Sequence, residues 1–208
     1  MRFRFARPSD AESVARLHAD SWRRHYRGAY SDAFLDGDVL ADRMAAWRAL
    51  LGEADPHRVT IVAEDGSLVG FAHARLRAHP RWGALLDNLH VAAEHKRRGI
   101  GSRLLALTAE GITARPGSRG LYVWVLEQNI DARAFYEASG ASLAGRAEVE
   151  PPGGIAGRLS GSPAKLRYAW ADPAALLGRP RKDTCATVLA PCTVADPADT
   201  VACEVRES

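Results

Sequence analysis

Residues His95 to Leu105 read HKRRGIGSRLL. Three basic side chains, Lys96, Arg97 and Arg98, run into Gly99, Ile100, Gly101 and Ser102, and an apolar helical pattern begins at once. A helix N-terminus exposes unpaired N–H groups and carries partial positive charge. Glycine lets the main chain approach a ligand with no Cβ in the way. Together these features make an anion cradle suited to a phosphate or pyrophosphate, with the basic residues adding charge around the same anion. The alternative reading is that the glycines serve only the strand-to-helix turn. The spacing is neither G-x-x-x-x-G-K-[ST] nor G-x-G-x-x-G, which excludes a P-loop and a dinucleotide fingerprint.

A second constellation lies downstream in VLEQNIDARAFYEASGAS. Asn129 follows an apolar strand, and Ala132, Phe135 and Tyr136 sit on a short helix. Upstream, ALLDNLHV reads as a strand ending near Val91. Its period of two puts Leu85, Asp87, Leu89 and Val91 on one face and His90 on the other.

The elements that position these residues follow from pattern. RFRFA alternates as a first strand. Ser9 with Glu12 forms a capping box for a helix carrying Val14, Leu17 and Trp22. Asp38 starts another helix with the stripe Leu40, Met44, Trp47, Leu50 and Leu51. RVTIVAE, the turn DGS and LVGFAHARL make a hairpin. GIGSRLLALTAEGI is a helix, LYVWVLE an apolar strand, and NIDARAFYEAS a short helix closed by Gly140. ASLAGRAEV and AKLRYAWA are two last strands, joined by the loop EPPGGIAGRLSGSP. The order predicts an α/β (mixed α+β) domain with a central mixed sheet of six to seven strands and about four helices, over residues 1–171. Residues 172–208 lose periodicity and read as a C-terminal extension, disordered or folded back on the domain.

Composition sets bounds. With 47% hydrophobic and 25% charged residues, the 208-residue chain is ordinary for a globular protein with a sizeable core. A net charge of +3 is too weak to imply nucleic-acid binding across the whole surface. Lys occurs only at positions 96, 165 and 182, so the basic residues are mostly Arg. No signal peptide and no bilayer-length apolar run are visible, and cytoplasmic residence without a membrane partner is the expectation. Cys185, Cys192 and Cys203 have neither the number nor the spacing of a disulfide framework or a metal pair, so no metal is expected.

The pairing of LDNLHVAAEHKRRGIGSRLL with NIDARAFYEASGAS closely resembles the GCN5-related N-acetyltransferases (GNAT). Those proteins carry [QR]-x-x-G-x-[GA] after their fourth strand and N-x-x-A-x-x-[FL]-Y-x-x-x-G after their fifth. The resemblance covers residues 2–171 and departs at Lys96, where Gln or Arg is usual; lysine keeps the charge but loses the bidentate geometry. It implies acetyl-CoA held between two splayed parallel strands, the fourth of which is bulged. The N–H groups of Arg97 through Ser102 would then hold the pyrophosphate. Leu89 and Val91 would pair with the pantetheine arm through main-chain groups, as an added strand does. Asn129, Ala132, Phe135 and Tyr136 would border the same arm, with plain core packing the alternative for Ala132 and Phe135.

The implied reaction makes an amide from a thioester and a primary amine of a small molecule or peptide, by direct attack in a ternary complex. An alkylamine with a pKa near ~10.4 is mostly protonated at neutral pH, so a base must take its proton. Asp87 is the candidate, with a surface ion pair as its alternative; His90 and Glu127 rank lower. The Val91 N–H at the bulge is the implied oxyanion donor. Tyr136 stands where the family places its general acid. For the acceptor, Trp22 and Tyr26 are candidate pocket residues, with Arg23, Arg24, His25 and Arg27 as charges beside them. The bland alternative is that Trp22 and Tyr26 are core and the arginines a solvated face. The glycine-rich 150–163 loop has the composition to move over a site. A non-catalytic CoA or acyl-CoA sensor of the same fold is the alternative function, and a homodimer is a family expectation.

Overall fold

A computed structural model describes residues 1–115 and 120–178. The three cysteines, and most of the segment read as an extension, lie outside the described residues. Seven strands form one sheet: β1 (Arg2–Phe5), β2 (Arg58–Asp65), β3 (Ser67–His79), β4 (Gly83–Val91), β5 (Leu121–Leu126), β6 (Ser142–Glu148) and β7 (Ala164–Trp170). Their spatial order is β1-β2-β3-β4-β5-β7-β6, and β4–β5 is the one parallel pair. The helices are α1 (Ala11–His25), α2 (Asp32–Asp36), α3 (Val39–Gly52), α4 (Ile100–Thr113) and α5 (Ile130–Ala138). This is the mixed α/β architecture expected from the sequence, with the five-residue α2 added.

The sheet is covered on both faces. On one face, Leu104, Leu105, Leu107 and Ile112 of α4 and Tyr136 of α5 pack on Ile61, Ala72, Leu86, Val123 and Tyr168. On the other, Val14 and Ala15 of α1 and Trp47 of α3 pack on Val62 and Phe71. Trp22, Tyr30, Phe34, Leu35 and Leu126 continue that second layer. Each strand sends alternate residues to the two layers, as the pleat requires.

The start of α1 departs from the expected capping box. Pro8–Asp10 forms a 3-10 turn, and the cap of α1 is Asp10 rather than Ser9. The Asp10 carboxylate accepts from the Arg7 N–H at 2.6 Å and from the Arg4 guanidinium at 2.7 and 2.8 Å. Arg4 also pairs with Glu64. This largely buried ion cluster ties β1, α1 and β2 together and leaves Glu12 to an exposed pair with Arg16.

Past Ala171 the chain turns back on the domain. Pro173–Leu176 is a 3-10 turn, and Leu176, 5% exposed, joins the core beside α4. The 150–163 loop is strapped to the α1–α3 layer. Arg158 reaches Asp42 at 2.5 Å and lies 4.5 Å over the Phe34 ring, while Ser31 and Ser160 make main-chain bonds across the seam.

Candidate active site

The site begins where two neighbouring strands part. β4 and β5 pair in parallel only from Ala84–Leu121 to Leu86–Val123. Beyond that both strands continue, β4 to Val91 and β5 to Leu126, without pairing. The break coincides with a bulge: His73 on β3 faces Asn88 and Ala74 faces Leu86, so Asp87 is the extra residue. A bulge bends its strand and increases local twist, which turns β4 away from β5.

The bulge corrects the expected parity of β4. Ala84 and Leu86 face the α4 layer, and after the inserted residue Leu89 and Val91 face it too. Asp87 is on the opposite side, 3.8 Å from Arg75. His90, expected away from Asp87, shares its face: it lies against His18 and Phe71, and its Nδ1 is 2.7 Å from Ser21 Oγ on α1. A period of two cannot reveal this, because one inserted residue inverts every position after it.

The bulge also lies at Asp87 rather than at Val91. Val91 still presents its N–H to the gap, for another reason. The Ala92 N–H donates to the Val69 carbonyl of β3. In an antiparallel ladder the bonded pairs alternate, so Val91 and Leu89, opposite Gly70 and Ala72, aim their N–H and C=O groups the other way. They form a free strand edge along one wall of the gap.

At the mouth of the gap is the start of α4. Gly99 caps the helix in the left-handed region, with φ 78°, and Arg97 also has positive φ, 63°. The first main-chain bond into the helix runs from the Arg103 N–H to the Gly99 carbonyl. Among the described residues, the N–H groups of Arg97, Arg98, Gly99, Ile100, Gly101 and Ser102 have no main-chain acceptor. A Cβ placed on Gly101 would lie 3.6 Å from the Phe135 ring and 3.8 Å from Val91, so this glycine borders the wall between α4 and α5. The Lys96 ammonium reaches back to α1 and donates to His25 Nε2 at 2.9 Å. Burial, and then the Lys96 charge, hold the His25 pKa below its usual value. Cradle, free strand edge and the bare main chain at Gly101 together fit a pyrophosphate with an extended amide-bearing arm.

The opposite wall comes from α5. Asn129 caps it, its Oδ1 accepting from the Ala132 N–H at 3.2 Å, which leaves the amide NH2 for a ligand. Ala132 and Phe135 are half-buried against the core. Tyr136 is 6% exposed, and burial raises its pKa well above the usual phenol value. Its hydroxyl has no hydrogen-bond partner among the described residues. Glu127 is committed to Arg146 at 2.9 Å.

On the Asp87 side, Tyr26 is half-buried, stacked on Trp22 and tilted against Tyr30. Burial and then the nearby Asp87 carboxylate push its pKa up to about 12. Trp22 takes the core alternative: it is 7% exposed, with the Arg43 guanidinium 4.3 Å over its ring. The arginines in and just after α1 are engaged too. Arg23 bonds the Leu35 carbonyl, Arg24 pairs with Asp20, and Arg27 pairs with Asp32 and Asp36. Sequence reading missed the tryptophan and arginine face of β5 and β7 beside this site, because its members are more than forty residues apart. It also missed the buried histidines His18 and His73. Among the described residues, no group of three His, Cys, Asp or Glu side chains is arranged to hold a metal ion.

Residues 15–141 match the model of the acetyltransferase (GNAT) family. The chain is 31% identical over 141 residues to the uncharacterized N-acetyltransferase YuaI of Bacillus subtilis, covering 65% of this chain and 76% of that one. It is 30% identical over 154 residues to the probable N-acetyltransferase Rv2775 of Mycobacterium tuberculosis, covering 70% and 82%. Among solved structures, Arabidopsis thaliana NAA60 in complex with a bisubstrate analogue aligns with a TM-score of 0.59 at 19% identity, over 81% of this chain and 96% of that one. The PaiA N-acetyltransferase of Thermoplasma acidophilum in complex with coenzyme A aligns with a TM-score of 0.56 at 20% identity, over 81% and 98%. These two likenesses establish the fold.

Proposed function

The chain belongs to the acetyltransferase (GNAT) family, and from that premise we propose that it transfers an acetyl group from acetyl-CoA to a primary amine, by direct attack in a ternary complex. The parting of β4 and β5 at Asp87, with unpaired N–H groups at its mouth, carries this reading. The α4 N-terminus holds the pyrophosphate, assisted by the basic loop. The edge of Leu89 and Val91 takes the pantetheine arm as an added strand. Gly101, Asn129, Ala132 and Phe135 border it.

Asp87 stands at the vertex of the gap, on the face away from α4. There its carboxylate takes the amine proton, and the freed nitrogen attacks the thioester carbon. The Val91 N–H donates to the carbonyl oxygen as negative charge develops on it. As the C–S bond breaks and the C–N bond is completed, Tyr136 gives its proton to the departing thiolate. Its hydroxyl has no internal hydrogen bond to break among the described residues, which leaves it available for that donation. His90 shares the Asp87 face, but burial, with the charges of His25, Lys96 and Arg43, lowers its pKa to about 3. His90 is also engaged by Ser21 Oγ at 2.7 Å, whereas Asp87 stands at the vertex of the gap with one long contact, 3.8 Å, to Arg75, which favours Asp87.

The test compares Asp87→Asn with His90→Gln, following thiol release over an amine panel and acetyl-CoA binding by calorimetry. Asp87→Asn lowers kcat by about 10²- to 10⁴-fold with acetyl-CoA affinity retained; His90→Gln costs far less. The reverse ranking would transfer the base role to His90. Acetyl-CoA binding without turnover of any amine would favour a sensor, and absence of binding would remove the donor assignment.

A further inference from the structure

The half of the sheet beyond the gap carries two cations, Lys165 and Arg167, with no carboxylate partner among the described residues. On β5, Leu121, Val123 and Val125 face the α4 layer, and Tyr122, Trp124 and Leu126 face the Asp87 side. On β7, Leu166, Tyr168 and Trp170 face α4, which sends Lys165 and Arg167 to the Asp87 side. The Arg167 guanidinium lies 4.4 Å over the Trp124 ring and 5.1 Å from the Trp82 ring. The Lys165 ammonium is 5.1 Å from the centroid of the Trp124 ring. Neither cation has a carboxylate within 4.0 Å among the described residues. The Arg167 Nε is buried and makes no hydrogen bond. A buried polar group without a partner costs free energy, which an anion accepting from this guanidinium would offset. The arginines in and just after α1, each with its own acceptor, show the contrast.

The register aligns Arg167 with the reaction centre. Trp124 is opposite Arg167, and the last β4–β5 pair is Leu86–Val123, so the row from Arg167 through Trp124 leads to the parting of the strands, where Asp87 is the next residue of β4. Two strand spacings, widened by the gap, separate the Asp87 and Arg167 backbones by about 10 Å. Burial raises the pKa of Tyr122, Arg75 and Arg167 oppose the rise and Asp87 adds to it, so Arg167 and Asp87 both lie near its hydroxyl. On the outer flank, Gly145 of β6 is opposite Arg167 and places no side chain against it.

We infer that Arg167 on its tryptophan platform is the anion subsite of the acceptor, and that the acceptor is an amine carrying a carboxylate, such as an amino acid or short peptide. A guanidinium presents two parallel N–H groups, matched to the two oxygens of a carboxylate. The aromatic platform limits its motion, so less freedom is lost on binding. With the carboxylate on Arg167, the amine of such a molecule extends along the row toward Asp87. This inference rests on the acetyltransfer reading of the gap.

The experiment uses amino acids and dipeptides, each paired with its C-terminal carboxamide, as acceptors for the full-length protein and its Arg167→Gln and Arg167→Lys variants. The wild type favours the carboxylates in kcat/KM by about tenfold or more. Arg167→Gln abolishes that preference with KM for acetyl-CoA unchanged, and Arg167→Lys restores part of it. A second readout is independent of turnover: Trp emission is titrated with N-acetylated dipeptides ending in a carboxylate or an amide, and only the acid shifts it in an Arg167-dependent way. Equal use of acids and amides by the wild type, an equal loss on both in Arg167→Gln, or no selective emission change overturns the subsite. Failure of acetyl-CoA to bind overturns instead the donor assignment, and the emission titration still decides the subsite.

Discussion

Tyr136 carries the most specific expectation at the scale of single residues. Its ring is core, set between Phe135, Tyr168 and Trp170, and its hydroxyl is unused within the protein. Packing and chemistry are therefore separable by removing one oxygen atom. Tyr136→Phe leaves thermal stability within about 0.5 kcal/mol of wild type, since no internal bond is lost. It lowers kcat by about tenfold to 10²-fold, the lower part of the range for a general acid, because a thiolate leaves readily on its own. Melting curves beside steady-state rates check both halves; a large loss of stability with unchanged kcat would make Tyr136 a structural residue only. The placing of Asn129 at the start of α5 and of Tyr136 within it was legible in sequence because their motif is local. The side of the strand taken by Asp87 was not, since it depends on a bulge formed against β3, and no pattern within ALLDNLHV signals the inserted residue.

The two motif glycines differ once their elements are known. Gly99 is the left-handed cap of α4, with open space around its Cα, whereas Gly101 is inside the first turn and faces Phe135. Gly99→Ala forces an alanine into the left-handed region and costs about 1–2 kcal/mol of stability. Gly101→Ala meets only ordinary van der Waals contacts and gains up to about 1 kcal/mol from helix propensity. Denaturant unfolding of the two variants therefore gives opposite signs, and equal destabilisation would refute this geometry. In Gly101→Glu, a carboxylate enters the wall of the gap, so calorimetry should find acetyl-CoA affinity reduced at least tenfold with the fold retained. The turn and helix were legible from the spacing alone. The gap beside them was expected only through the family resemblance, because no spacing in the sequence tells where β4 stops pairing with β5.

Across the whole molecule, the histidines beneath α1 and α3 link its layers and make its stability depend on pH. His73 is fully buried on β3, 2.8 Å from Thr60 Oγ1, with its Nε2 unpartnered. His18 is 1% exposed on α1 and accepts from Trp47 of α3 at 2.9 Å. His90 is tilted against His18 at 4.7 Å. Around them stand Arg43 of α3, Arg58 of β2, Arg75 of β3 and Asp87 of β4. Desolvation dominates: the His73 pKa falls from 6.5 to about 4, the His90 pKa to about 3, and that of His18 well below 6.5. Unfolded, each imidazole binds a proton below about pH 6.5; folded, each stays neutral until far lower pH. The unfolded state thus holds more protons between about pH 6.5 and 4, and stability falls as pH falls through that window. The His73 shift alone corresponds to roughly 3 kcal/mol at its acidic end, since one pKa unit is worth about 1.4 kcal/mol. Urea midpoints at pH 7.5, 6, 5 and 4.5 should decline steadily, and His73→Asn, with no group to titrate, should have a shallower slope whatever its absolute stability. A midpoint independent of pH below 6.5 would mean that these imidazoles are already charged in the folded protein. Positions 18, 73 and 90 show no pattern in sequence, because only the stacking of α1 on β3 and β4 brings them together.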